Sequence, residues 1–109
     1  MMKKINLIFI GRTVYDYFGF CFAFYSNEHR PIHLHVSKQD RESKLELCFT
    51  NKGLELTAKK VKGHSPLTSK EIKEVKSFII KYHLDIVQKW EQVFDLGNKV
   101  TCESIKERV

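Results

Sequence analysis

The sequence predicts an α+β fold: an antiparallel meander of about five strands, packed on one face by a long C-terminal helix. Two observations carry this expectation. Large apolar residues recur at every second position through much of the first half of the chain, the period of a pleated strand. After Thr68 the period lengthens, and Ile72, Val75, Ile79, Tyr82, Ile86, Trp90 and Val93 hold one helical face without a phase slip.

Residues 5–10 form a short apolar run that reads as a first strand. In residues 17–25, Phe18, Phe20, Phe22 and Phe24 share one parity, while Gly19, Cys21 and Ala23 are small on the other. That pattern suits a central strand with rings on one face. A loop over 26–31 follows, where Pro31 lacks a ladder N–H. Residues 32–37 alternate strictly, with Ile32, Leu34 and Val36 against His33, His35 and Ser37. Residues 43–49 do the same, and Asn51-Lys52-Gly53 is a hairpin signal leading into 54–61. Half-apolar strands of this kind predict a sheet covered on one side only. Thr68 with Glu71 spells a capping box, Leu67 with Ile72 a hydrophobic staple, and Gly97 a C-terminal stop. A helix over 68–96 would run roughly 40 Å at about 1.5 Å per residue. It is therefore expected either to bend near residues 83–85 or to reach a partner subunit at one end.

Composition sets the outer limits. A chain of 109 residues is expected to be one domain, residues 1–109, with enough core to fold without disulfides or a structural metal. The 42% apolar and 12% aromatic content exclude a disordered chain. Three widely spaced cysteines, Cys21, Cys48 and Cys102, form no CxxC pair, so a zinc ribbon and a redox motif are both excluded, and a reduced, cytoplasmic protein is expected. The start, MMKKINLIFIGR, carries Asn6 inside a short apolar run and has no small-residue cleavage site, unlike a secretory leader. No stretch approaches a membrane span. The net charge of +6 favours acidic partners such as RNA or DNA, with Lys59, Lys60 and Lys62 as the candidate contact cluster.

The stretch NEHRPIHLHV concentrates three of the five histidines. If Ile32, Leu34 and Val36 face the core, His33 and His35 face outward together. Matching core residue to core residue across the next strand favours Val36 opposite Leu45 and Leu34 opposite Leu47. His35 would then face Glu46, and His33 would face Cys48. Imidazole, carboxylate and thiolate are all zinc ligands, so His33, His35, Glu46 and Cys48 form a candidate metal set, with zinc as the candidate cofactor. Imidazole beside carboxylate is equally the equipment of acid/base catalysis near neutral pH, which makes His29, His33 and His35, with Glu28 orienting one of them, the candidate catalytic set. The spacing is not that of the histidine-triad motif, which Pro31 and Ile32 interrupt. A two-histidine phosphoesterase would need a second H-x-[ST] element besides His35-Val36-Ser37.

The phrase Glu28-His29-Arg30-Pro31-Ile32-His33-Leu34-His35-Val36 resembles the H-x-P-P-H-x-H signature of a bacterial family named for a domain of unknown function, number 4160. Ile32 stands where that signature has its second proline. The aromatic strand before the segment and the helix ending in Trp90-Glu91 extend the resemblance over about residues 18–97. It implies no defined activity. Members often stand beside another small gene, an arrangement like a toxin–antitoxin pair. The resemblance therefore implies a small cytoplasmic component of such a module, with a small cognate protein partner and RNA or DNA as target. A non-enzymatic metal-binding domain, or a protein-interaction domain using its exposed sheet edge, is the alternative, and a homodimer is a further expectation.

Overall fold

Alternation in the first half of the chain does become a sheet, and the longer period after Thr68 becomes a helix. The structure, a computed structural model, describes residues 11–25 and 31–109. The expected strand over 5–10 lies outside the described residues. The elements are β1 (Gly11–Tyr17), β2 (Phe20–Tyr25), β3 (His33–Lys38), β4 (Arg41–Thr50), β5 (Gly53–Lys60), α1 (Ser69–Trp90) and β6 (Glu103–Ile105). They form one six-stranded sheet in the order β5-β4-β3-β2-β1-β6. The first five strands are an antiparallel meander, and β6 returns to lie parallel to β1, with Tyr15 opposite Glu103. The fold is α+β, with the helix across one face of the sheet.

Helix α1 starts where its sequence says it should. Thr68 Oγ1 accepts from Glu71 N–H at 3.2 Å, and Glu71 Oε1 accepts from Thr68 N–H at 2.8 Å, so two otherwise unsatisfied donors are met reciprocally. Glu71 also receives Arg41, whose Nε donates to Oε1 at 2.9 Å, tying the start of β4 to the start of α1. The Arg41 guanidinium holds the Glu71 carboxyl down to about 2. α1 runs as one continuous helix through His83–Asp85. The widening comes later, as a π-helical turn over Glu91–Asp95. It keeps Trp90 and Phe94 together at 4.3 Å between ring centroids, both against Phe24.

Phe20, Phe22 and Phe24 join Leu34, Val36, Leu45 and Leu47 in a core closed by Val75, Phe78, Ile79, Ile86 and Trp90 of the helix. Each such side chain contributes roughly 1.5–3 kcal/mol on full burial. Phe78, off the stripe read from the sequence, stacks on Phe22 at 4.5 Å and lies at the centre of this cluster. At the far side Tyr15 donates to Asp85, and Lys89 pairs with both Asp85 (3.0 Å) and Glu103, stitching β1, α1 and β6 together. Burial alone would lower the Lys89 pKa, but its hydrogen bonds to Glu103 and Asp85 raise it on balance.

Two expectations need correction. Residues 17–25 are not one strand: Phe18 and Gly19, both with positive φ (44° and 85°), turn the chain between β1 and β2, and Phe18 is exposed. The β3–β4 register also differs by two residues. Leu34 lies opposite Leu45, His33 opposite Glu46, and His35 opposite Lys44. The cause is the connection. Lys38 pairs with Arg41 across a two-residue turn, Gln39-Asp40, with Gln39 at φ 57°. A non-glycine residue in that conformation leaves no sequence signal. Core parity is preserved, because a two-residue shift keeps every side chain on its face.

Candidate functional site

The face of the sheet away from the helix carries a polar cluster built by β2, β3 and β4. Glu42, the second residue of β4, is fixed from both sides. Its N–H donates to Ser65 O at 2.9 Å, and the preceding Arg41 is held at the start of α1. Its carboxylate turns to the back face, where Oε2 accepts from Tyr25 Oη at 3.1 Å and lies 3.2 Å from His35 Nδ1. The carboxylate acceptor fixes Nδ1 as a protonated nitrogen of that ring. The Tyr25 ring lies flat on the imidazole, centroids 3.8 Å apart and planes within 2°. His35 is 8% exposed and Glu42 7% exposed. Thr13, Cys21, Ser37, Tyr25, His35 and Glu42 border a cavity of about 250 Å³.

Both histidines leave β3 on the side opposite Leu34, as alternation predicts, but neither is exposed there. His33 is 4% exposed, with Nδ1 2.8 Å from Pro31 O and its ring 5.4 Å from Trp90. It sits at the sheet end where the C-terminal turns of the helix come round, in contact with the core as well as with His35, whose ring is 5.6 Å away. Glu28 and His29 lie outside the described residues. Glu46 faces His33 across β3–β4, but its carboxylate engages Lys59 (3.1 Å) and Lys44 (3.7 Å). Cys48 is exposed and opposite Glu55 on β5, one step beyond the histidine cluster. Among the described residues, no group of three or more His, Cys, Asp or Glu side chains is arranged to hold a metal ion.

Of the basic cluster, Lys59 lies on the same face as His35. His35, Lys44 and Lys59 occupy one cross-strand row. Lys60, one residue on, points to the other face, and Lys62 is exposed in the turn after β5. Glu42 and Tyr25 are the residues that sequence reasoning missed. The signal for Glu42 was present: extending the parity of Lys44 and Glu46 back by two residues puts a second carboxylate on the histidine face.

Comparison with known proteins meets this geometry at one point. A family model described as Domain of unknown function (DUF4160) matches residues 19–91, which takes in β2, β3, β4, β5 and all of α1. The chain belongs to the DUF4160 family. The match includes Tyr25, His35 and Glu42, so the polar cluster lies within the DUF4160 portion, while β1 and β6 flank it. No curated protein and no solved structure matches the chain. Among the described residues, no helix is long and apolar enough to cross a membrane.

Proposed function

We propose that this protein is a small cytoplasmic component of a toxin–antitoxin-like module that works beside a small cognate protein, and that the back face of its sheet engages a nucleic-acid strand at the His35–Glu42 pair. The observation that carries this reading is the shared Glu42 carboxylate, which orients both His35 and Tyr25 at the wall of the cavity. A buried ionisable pair gives little stability for its desolvation cost, so a chain needing only a fold is as well served by an apolar pair. The pair does supply an imidazole held in one tautomer beside a carboxylate, equipment suited to general acid–base chemistry on a phosphodiester. Lys44, beside His35 in the same row, provides a cation for a phosphate, and the net charge of +6 draws a polyanion to the surface.

The test is RNA and single-stranded DNA binding by fluorescence anisotropy at several salt concentrations, with RNA degradation followed in parallel. Wild type is expected to bind with a steep salt dependence. Lys44→Ala should weaken binding and flatten that slope, while His35→Ala should abolish any cleavage with little effect on binding. No affinity for either nucleic acid at low salt would overturn the reading. The alternative is a non-enzymatic zinc site using His33 and His35, with Glu46 opposite His33 and Cys48 beyond it. Calorimetric titration with zinc addresses it, and tight binding lost in the His33→Ala, His35→Ala double variant would favour it over the nucleic-acid reading.

A further inference from the structure

β5 ends the sheet, and its outer edge is long. Leu47 N–H donates to Ile32 O at 2.8 Å, so the odd-numbered backbone groups of β4 point to β3 and the even-numbered ones to β5. By the same alternation Gly53, Glu55, Thr57 and Lys59 exchange bonds with β4, while Leu54, Leu56, Ala58 and Lys60 direct theirs outward. Among the described residues, no backbone group bonds to that outer side. An open eight-residue edge is a template for another strand.

Charge decides which strand fits. On the back face β5 carries Glu55, Thr57 and Lys59 in sequence. Within the chain Lys59 lies directly opposite Lys44, an unfavourable like-charge pair that one carboxylate, Glu46, serves on both sides. Glu55 faces only Cys48 across the ladder. Consider a second copy of β5 laid antiparallel along the edge. Centring the pair on Glu55 or on Lys59 puts like charges face to face. Centring it on Thr57 brings Leu56 against the second copy's Ala58 with their outward backbone groups aligned, and sets Glu55 opposite Lys59 twice by symmetry. On the helix side the half-buried Leu54 and Leu56 continue into the new strand pair. Beside them runs a groove walled by Phe49 (51% exposed), Leu84 (76% exposed) and Val87 together with the polar Asp85, Gln88 and Glu91.

We propose that two copies of this chain associate through β5, antiparallel about Thr57, joining their sheets into one of twice the width. The two-fold axis stands perpendicular to the sheet, so both His35–Glu42 clusters lie on one continuous back surface.

Analytical ultracentrifugation of the full chain across the micromolar to millimolar range tests this. Wild type is expected to dimerise. Glu55→Lys and Lys59→Glu should each weaken the dimer by about tenfold or more, since each replaces two attractive cross-strand pairs by repulsive ones. Mixing the two variants should restore association as a heterodimer, because both facing pairs then become Lys with Glu. A folding defect in either variant cannot produce that rescue. A wild type that stays monomeric at every concentration, or single variants that dimerise as well as wild type, would overturn the proposal. So would a mixture that fails to associate.

Discussion

The two faces of this sheet are made from alternate residues of the same strands, yet they follow different rules. On the helix side, Phe20, Phe22, Phe24, Leu34 and Leu45 meet Phe78 and Trp90, and position is set by how rings fill space. On the back, Tyr25, His35, Glu42, Lys44 and Glu46 meet one another, and position is set by hydrogen-bond direction and sign of charge. Removing a ring from the first face leaves a void that its neighbours fill only in part. Removing a carboxylate from the second leaves partners whose desolvation is no longer offset. The first loss scales with volume, the second with how deeply the remaining partner is buried.

The largest effect is expected on the helix face. Trp90→Ala, deleting a ring in contact with Phe24, Phe94 and His33, should cost about 3–5 kcal/mol in urea denaturation. A loss as small as that of a surface change would mean that the π-helical turn, not the ring, closes the core.

Next come two buried polar side chains of the back face. Glu42→Ala and His33→Ala should each cost about 1–3 kcal/mol, the first by removing the acceptor that Tyr25 and His35 share, the second by removing a buried ring against Trp90. Glu42→Gln, which retains an acceptor oxygen, should recover part of the loss. If His33→Ala proved neutral, its contact with Trp90 would add nothing to the core.

A smaller effect belongs to the helix start. Thr68→Ala should cost about 1 kcal/mol through loss of the cap. The Glu71 carboxyl is held below its ordinary value of 4.5, at about 2, by Arg41 and the Thr68 backbone. Its stabilisation is therefore fully present above pH 4.5 and is lost as pH falls toward 2. Arg41→Gln should flatten that stretch of the acid-unfolding curve, whereas Glu42→Gln should leave its Glu71-dependent part in place. Smallest of all, Cys48→Ser on the exposed end of the back face should change stability by under about 0.5 kcal/mol.

These contrasts also explain what was legible in the sequence. Parity was: it put Leu34 with Leu45 on one face and His35 with Lys44 and Glu46 on the other. The capping box was too, because its chemistry is local. The register was not, since the Gln39-Asp40 turn carries no glycine. From that one omission follows the expected pairing of His33 with Cys48, where the structure pairs His33 with Glu46. β1 escaped notice because a bulge between Thr13 and Tyr15 breaks its period and leaves adjacent Val14 and Tyr15 both buried. The exposure of the histidines was misjudged for a different reason. Alternation tells which way a side chain leaves the strand, but not that Trp90 reaches the end of β3.

The parallel pairing of β6 with β1 has a kinetic consequence. The meander can assemble as successive neighbours, each closing a short loop, whereas β6 reaches its place only after α1 has crossed the sheet and nearly the whole chain has been traversed. Loop-closure entropy makes such a contact late. Substitutions at Lys89 or Glu103, which hold that junction, are then expected to speed unfolding while leaving the folding rate almost unchanged. Stopped-flow chevrons would show this as movement of one arm alone. The tail of the chain would act as a latch on the lifetime of the folded state, with little say in how quickly that state is found.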